Sequence, residues 1–263
     1  MATTRSWTPA RVADRDEPPV RDISGADLRA ALREGWDDFR AKRGDLLLIG
    51  LLYPAIGFAA AMLAQGDYLW MLFPLAAGLT ILGPLTATGF YELARRREAG
   101  LESSWWHFLD VAKSPAIEAI AIVAVVLIAL FGGWLIAAGL VYFAFFGLSE
   151  PASATAFFAD VLTTPRGWAM MLVGNLIGLC FALAALALAA VSLPMLIDRD
   201  GGAGRAMRTS IAAFRRNPGT MSRWGLIVAA LLVAGSIPLF MGLAVVLPWL
   251  GYATWHLYRK LVG

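Results

Sequence analysis

Long apolar runs alternate with short charged segments along most of this chain. A helix needs about 20 apolar residues to cross a hydrocarbon core of about 30 Å. The pattern therefore predicts an all-α fold, a polytopic transmembrane helical bundle of six spans joined by loops and interfacial helices. The predicted spans are residues 46–63, 68–93, 116–146, 168–197, 223–237 and 239–258.

The last apolar run, residues 224–258, is too long for one helix at a rise of about 1.5 Å per residue. We divide it near Ser236-Ile237-Pro238 into two short spans. The alternative is one long tilted helix followed by an interfacial tail, which would give five spans.

The distribution of positive charge predicts the orientation of the bundle. The chain contains 22 Lys and Arg residues, and six spans place all of them except Arg166 on the side that holds both termini. Because cytoplasmic loops carry the excess of Lys and Arg, we predict cytoplasmic termini. Five spans would move Arg259 and Lys260 to the opposite side, so the same rule favours six.

The chain before the first span divides into two parts. Residues 1–23 are polar and have no core-forming period, which predicts a disordered cytoplasmic tail and no cleavable signal peptide. The membrane domain is predicted over residues 24–263 and begins with an interfacial helix over 24–43. This helix opposes a charged face to an apolar face. The apolar face consists of Leu28, Leu32, Trp36 and Phe39. The alternative is an ordinary helix packed on a folded domain.

Tryptophan recurs at the predicted membrane boundaries, where its amphipathic ring favours the headgroup region. We predict that Trp36, Trp105, Trp106 and Trp255 anchor the chain there. A further amphipathic segment, which carries several arginines, lies between Ser192 and Pro218.

Composition supports a lipid-embedded protein. The chain is 59% hydrophobic and 16% charged, against roughly 45–50% and about 25% in soluble domains. Too few polar residues remain to cover a soluble core, so the lipid bilayer is the first predicted partner. One cysteine, Cys180, excludes an intrachain disulfide and a cysteine-based metal site. We expect no cofactor, no metal and no nucleic-acid partner.

Two segments suggest an internal repeat. Residues 84–96 and 248–260 align without gaps on their proline, a leucine and a terminal basic pair, and Pro194 to Asp198 resembles the start of both. The unit would be an interfacial helix followed by a transmembrane hairpin, used three times. The alternative is coincidence, because membrane proteins share such patterns.

The segment SLPMLIDRD at residues 192–200 and the ending LPWLGYATWHLYRKLV at 247–262 carry a family resemblance. From about Asp27 to Val262 the chain resembles the bacterial integral-membrane family called domain of unknown function 2189. The resemblance implies a polytopic inner-membrane protein of bacteria with no assigned activity or catalytic residues. Some members are labelled cytochrome c oxidase subunit I.

The histidines contradict that label for this chain. A haem-copper oxidase core needs six histidine ligands, whereas this chain has two, His107 and His256. Axial ligands would have to face one another inside the bilayer, and both histidines lie in aromatic segments at a predicted membrane edge. The chain is therefore predicted not to be the catalytic subunit. An accessory role beside one stays open.

Five polar residues are the candidate functional residues. Glu118 lies one turn inside the third span, and Asn175 lies within the fourth. A charge at mid-bilayer would cost about 2.5–3.5 kcal/mol.

The other three candidates lie at the predicted cytoplasmic boundary. Glu92 and Asp198 end two spans on that side, and His256 lies near the end of the last span. We expect Glu92 and Asp198 to lie near one another and to hold the interfacial helices, with a cation site as the alternative. The predicted partners are Arg205, Arg208 and Arg215.

We expect a non-enzymatic scaffold or accessory subunit of a membrane complex, respiratory complexes included, that binds through its basic, aromatic cytoplasmic face. The alternative is a transporter or channel for small hydrophobic or lipidic substrates, with a cavity lined by Asn175, Thr86 and Glu118. A third hypothesis is an interfacial enzyme that uses Glu92, Asp198 and His256.

Overall fold

The structure, a computed structural model, describes residues 18–41, 86–148, 154–199, 201–238 and 240–262, together with four helical positions at 55, 58, 59 and 62. The predicted first span and the second span before residue 86 otherwise lie outside the described residues, as does the predicted tail up to residue 17. Every regular element in the described ranges is a helix. The helices are α1 (Gly25–Ala41), α2 (86–98), a 3-10 helix (Trp105–Lys113), α3 (Ile117–Phe146), α4 (Ala154–Thr163), α5 (Pro165–Ala189), α6 (Ser192–Asp198), α7 (Ala203–Arg216), α8 (Pro218–Ser236) and α9 (Leu243–Val262).

Three stretches are long and apolar enough to cross a membrane: Ile117–Phe146, Pro165–Asp198 and Pro218–Ser236. They correspond to the predicted third, fourth and fifth spans. The last apolar run is two helices, because α8 ends at Ser236 and α9 begins at Leu243. The alternative of one long helix is therefore wrong. The structure supports these three spans and leaves the total of six as a prediction.

Helices α3 and α5 form an antiparallel hairpin. Gly133 of α3 faces Phe181 of α5, and Trp134 of α3 faces Gly178 of α5. Protein buries only 17% of the most apolar window of α3 and 22% of that of α5. Since the outward side chains are apolar, lipid is the medium that covers them.

A protein-covered core lies at one end of this hairpin, and we call this region the polar end. It is built from α1, α2, α6, α7, the beginnings of α3 and α8, and the last half of α9. Its largest fully buried side chains include Trp224, Tyr252, Trp255 and Tyr258. The charged segments of the sequence are therefore not simple loops, because they form helices that pack around a common core.

The apolar face of α1 is covered by α9. Leu28 is 3% exposed and Phe39 is 4% exposed, and the two helices make an extensive contact. Trp36 is partly buried against Trp249, with ring centroids 5.1 Å apart. Of the two interpretations of this helix, the structure therefore agrees with the alternative, an ordinary helix packed on a folded domain. The apolar face that was predicted to contact lipid is covered by α9.

The segment before α1 joins the two ends of the α8–α9 hairpin. The backbone N–H of Arg21 donates to the backbone carbonyl of Leu261 at 2.8 Å, and the backbone N–H of Ile23 donates to the side-chain Oδ1 of Asn217 at 2.9 Å. Asn217 directly precedes α8, and Leu261 lies at the end of α9. Because the start of one helix and the end of the other bind the same short segment, the two helices run antiparallel. Residues 18–23, which the sequence assigned to a disordered tail, are held in place by these bonds.

The two described segments with the repeat pattern pack against one another. Residues 86–96 are helical in α2 and residues 248–260 are helical in α9. A Cβ added at Gly251 would lie 2.5 Å from the Cβ of Phe90. A shared helical structure agrees with repetition, while the threefold repeat itself stays a prediction.

The close approach of α1 and α9 gives a test by substitution. A Cβ at Gly35 would lie 2.5 Å from the backbone nitrogen of Ala253, so Gly35→Ala forces the helices apart. We expect Gly35→Ala to lower the free energy of unfolding by about 1–3 kcal/mol, measured as the thermal unfolding midpoint in detergent. Gly25→Ala is the matched control, since its nearest neighbour would be 3.9 Å away. Equal midpoints for the two variants would contradict this contact.

Candidate functional site

Glu92 is a buried carboxylate at the centre of a bonded group on α2. It is 7% exposed and accepts hydrogen bonds from Arg95 Nε at 2.9 Å and from Arg96 Nε at 2.8 Å. Arg96 also donates from Nη2 to Asp110 Oδ2 at 2.9 Å. A buried charge is stable only when it is paired and hydrogen-bonded, and the two arginines meet this requirement for Glu92. Glu92 also orients Arg96, which in turn joins the end of α2 to Asp110 of the 3-10 helix.

Asp198 performs the same role between α6 and α9. Its Oδ2 accepts from the Tyr258 hydroxyl at 2.6 Å, and from Arg199 Nε and Arg259 Nη1 at 3.2 Å each. Tyr258 is fully buried. The carboxylate therefore joins two elements that are about sixty residues apart in the sequence.

Glu92 and Asp198 both act on the guanidinium of Arg95. The hydrogen bond with Glu92 is the main cause that raises the pKa of Arg95, and the charge of Asp198 raises it further. The observed partners of the two carboxylates lie on α2, at the end of α6 and on α9. The predicted contacts with Arg205, Arg208 and Arg215 of α7 stay predictions.

His256 bridges α9 to α1. Its Nε2 lies 2.7 Å from Asp38 Oδ2 and its Nδ1 lies 3.5 Å from Glu34 Oε2. Lys260 also donates to Glu34 at 3.0 Å, and Arg97 of α2 donates to Asp38 at 2.6 Å. His256, one of the five candidate functional residues, therefore takes part in a charged contact among three helices.

Sequence reasoning missed Glu34 and Asp38 as partners of this histidine. A signal was present, because Glu34 and Asp38 are four residues apart on one helix, as are His256 and Lys260 on the other. Residues at this spacing share a helix face, so two faces of complementary charge could have been matched. In the part of the chain that the structure describes, no three His, Cys, Asp or Glu side chains form a group that could hold a metal ion.

The four predicted tryptophan anchors divide by exposure. Trp255 is 1% exposed and its indole Nε1 donates to Glu98 at 2.7 Å, so the prediction is wrong for this residue: protein covers it and satisfies its donor. Trp36 is half-buried against α9. Trp105 and Trp106 stack with ring centroids 3.5 Å apart, and Trp106 is 62% exposed. Membrane anchoring stays a prediction for this stacked pair.

The other two polar candidates face outward. Glu118 is exposed in the first turn of α3, where the helix dipole favours a carboxylate. Asn175 is exposed on α5 and donates from Nδ2 to the carbonyl of Met171, one turn earlier, at 2.8 Å. Thr86 is instead buried on α2. Among the described residues, two of the three residues predicted to line a cavity thus lie on outer helix surfaces, and the cavity itself stays a prediction.

Residues 72–198 match the model of a family described as predicted integral membrane protein, domain of unknown function 2189. This segment is similar to that family. The match is shorter than the resemblance predicted from Asp27 to Val262 and contains Glu92, Glu118, Asn175 and Asp198. Comparison with curated proteins and with solved structures found no match. The family and the apolar helices together identify an integral membrane protein.

The environment of Asp38 predicts a pH dependence of stability. Burial would raise the pKa of Asp38, but hydrogen bonds from His256 and Arg97 outweigh it and hold the pKa below its ordinary value of 3.8. A lowered folded-state pKa stabilises the fold above the unfolded value, and that contribution is lost as pH falls through the folded value. We expect Asp38→Asn to lower the thermal unfolding midpoint at about pH 6, and the deficit to shrink towards about pH 3.

The control for this titration is Asp37→Asn, because Asp37 is the exposed neighbour on the same helix. Glu34, Arg97, His256 and Lys260, the charged and titratable groups around Asp38, are left in place in both variants. A deficit for Asp38→Asn that stays constant over this pH range would contradict the role assigned to the carboxylate.

A double-mutant cycle tests the link between α6 and α9. Tyr258→Phe removes one donor to the Asp198 carboxylate, and we expect a loss of about 1–3 kcal/mol in the free energy of unfolding. Arg259→Gln weakens a second donor to the same oxygen. We expect the two effects to be non-additive by about 0.5–3 kcal/mol. Strict additivity in chemical unfolding would show that the two donors act independently.

Proposed function

We propose that this protein is a non-enzymatic scaffold or accessory subunit of a larger membrane complex. The observation that carries the proposal is that the candidate acid–base residues are bonded to the protein's own side chains. Glu92 is held by two arginines, Asp198 by Tyr258 and Arg259, and His256 by Asp38. Groups in such contacts position helices, and this supports a structural role over the interfacial enzyme.

The 3-10 helix presents the surface proposed to bind the partner. Trp106 is 62% exposed and Leu109 is 59% exposed, and Leu101 beside this helix is 54% exposed. Lys113, whose side chain is 84% exposed, ends the helix just before α3 enters the apolar region. Large exposed aromatic side chains dominate the energy of many protein interfaces, so a partner subunit at the membrane boundary fits this surface.

The proposed orientation places the polar end in the cytoplasm of a bacterial cell, with the bundle in the inner membrane. Support comes from the position of Arg166, whose guanidinium lies 4.3 Å from the ring centre of Phe146 at the far end of α3. Among the described Lys and Arg residues, the others belong to segments at the polar end. This asymmetry follows the positive-inside rule.

One observation favours the transporter or channel as a second candidate. An apolar cavity of about 430 Å³ lies between α3 and α5, with Phe131, Trp134 and Phe181 in its wall. An acyl chain or a small hydrophobic molecule has the matching chemistry. The scaffold remains the stronger proposal, because the polar residues expected to line a transport path face outward.

The proposal is tested by purifying a tagged full-length protein from its native membrane in a gentle detergent. We expect membrane-complex subunits to co-purify in stoichiometric amounts, as identified by mass spectrometry, with haem absorption if the complex is respiratory. Trp106→Ala is expected to reduce this recovery about tenfold or more, as loss of an interface hot spot does.

Phe158→Ala is the matched control for the binding surface. Phe158 is also an aromatic residue and is 61% exposed, close to the 62% of Trp106, but it lies on α4 near the opposite end of the hairpin. Full recovery of the partner with Phe158→Ala and loss with Trp106→Ala would support the surface. A colourless protein whose recovered proteins match a mock purification would overturn the scaffold and direct attention to the apolar cavity.

A further inference from the structure

The short helix α4 packs on the end of the α3–α5 hairpin that is farthest from the polar end. The ring centroid of Phe157 lies 5.9 Å from that of Tyr142 and 6.0 Å from that of Phe146, and both partners are near the end of α3. At the start of α5, a Cβ added at Gly167 would lie 2.4 Å from the Cα of Val161. Helix α4 is therefore held against both helices of the hairpin.

The length of α3 places this end of the hairpin at a membrane boundary. The buried residues of α3 end at Ala124, and the apolar part that faces outward continues from there to Phe146. At a rise of about 1.5 Å per residue, this part is about 33 Å long, against about 30 Å for the hydrocarbon core of a bilayer. Helix α4 has 10 residues and is too short to cross that core. It therefore lies at the membrane boundary opposite to the polar end.

Apolar side chains form two neighbouring strips along α4. Phe157 and Val161 form the strip that the hairpin covers, since Val161 is 6% exposed and Phe157 is half-buried. Phe158 and Leu162 form the second strip and are 61% and 59% exposed. Asp160 is exposed on the opposite side of the helix from this second strip, because 3.6 residues make one turn. Protein thus covers only half of the apolar face of α4.

The exposed strip continues into the outward surface of α5. Trp168 is 57% exposed, and its indole Nε1 donates to the backbone carbonyl of Leu162 at 2.6 Å. Leu172 and Leu176 follow Trp168 at intervals of four residues, which places them on the same helix face, and they are 64% and 55% exposed. One apolar surface therefore extends from Phe158 of α4 to Leu176 of α5, and lipid covers its α5 part.

The polar groups near this surface are compatible with contact to lipid. The indole N–H of Trp168 is hydrogen-bonded within the protein, so burial of the ring among lipids leaves no donor unpaired. Asp160 and Arg166 are the only charged residues in the sequence between 154 and 168, and the Arg166 guanidinium lies over the Phe146 ring. This end of the hairpin thus presents a continuous apolar area with little charge, which favours lipid over a charged partner.

We propose that α4 is an interfacial helix that binds the bilayer surface opposite to the polar end, with Phe158, Leu162 and Trp168 inserted among the lipids. An interfacial helix buries its apolar face about 5–10 Å into the boundary between headgroups and acyl chains. The proposal does not depend on the scaffold function, because the surface proposed to bind a partner subunit lies on the 3-10 helix at the other end of the hairpin.

The test is site-directed spin labelling of the full-length protein in liposomes of phosphatidylcholine and phosphatidylglycerol. Cys180→Ala removes the one native thiol. In that background, Phe158→Cys, Leu162→Cys and Asp160→Cys each introduce a single labelling position. Power saturation with oxygen and with a water-soluble nickel chelate gives the depth of each label. We expect the labels at 158 and 162 about 5–10 Å below the level of the phosphates, and the label at 160 at or above that level.

Two reference labels calibrate the result. Cys180 of the otherwise unchanged protein is exposed on α5 within the apolar stretch, so its label reports lipid, and the label at 160 reports the aqueous side of α4. The proposal is overturned if the labels at 158 and 162 meet the nickel chelate as often as the label at 160, because α4 then lies in water. It is also overturned if neither reagent reaches them, because protein then covers the strip. Phe158 and Leu162 are both exposed, and either label alone decides the outcome if the other variant does not fold.

Discussion

Pairing of buried and partly buried carboxylates with cations at the polar end is the constraint on which the arrangement of the other helices depends. Glu92 is buried and Asp198 and Asp38 are partly buried, so an unpaired charge at these positions would be unfavourable. Their partners come from other turns or other helices, and these contacts join α1, α2, α6 and α9. Because the partners must remain within hydrogen-bond distance, the packed core between these helices has little freedom to rearrange.

This constraint separates two environments within one chain. The α3–α5 hairpin keeps an apolar surface on nearly all sides, since Leu135, Leu140, Leu172 and Leu176 are exposed. The polar end instead buries Trp224 and Trp255 among its own helices. Lipid therefore stabilises the first region, whereas internal hydrophobic packing and charge pairing stabilise the second. Helices α3 and α5 extend from one environment into the other, with Ile120 and Val191 buried near their ends in the core.

The sequence predicted much of the first environment and less of the second. A membrane span depends on one-dimensional apolar length, so residues 116–146 and 168–197 were found almost to their ends. The split at Ser236 was also correct, and a proline two residues later supplied its signal. These features are local, and a single sequence contains them.

The contacts of the polar end could not be obtained in the same way. An amphipathic face such as that of α1 looks the same whether lipid or another helix covers it, and only the position of α9 decides. The Glu34–Lys260 and Asp38–His256 contacts join residues more than two hundred positions apart. Glu92 and Asp198 were selected because each ends a predicted span, but the donors that contact them depend on tertiary structure.

Charge pairing also changes what the positive-inside pattern implies for binding. The rule counts all cations near a boundary, yet an anionic ligand is attracted only by charge that nearby carboxylates leave uncompensated. Arg95, Arg96 and Arg259 lie against carboxylates of the core, so much of their field is cancelled at short range. Helix α7 has four arginines without an acidic residue of its own. Arg216 of this helix is nevertheless paired with Asp22 from the segment before α1, so cations of α7 also take part in holding the fold together.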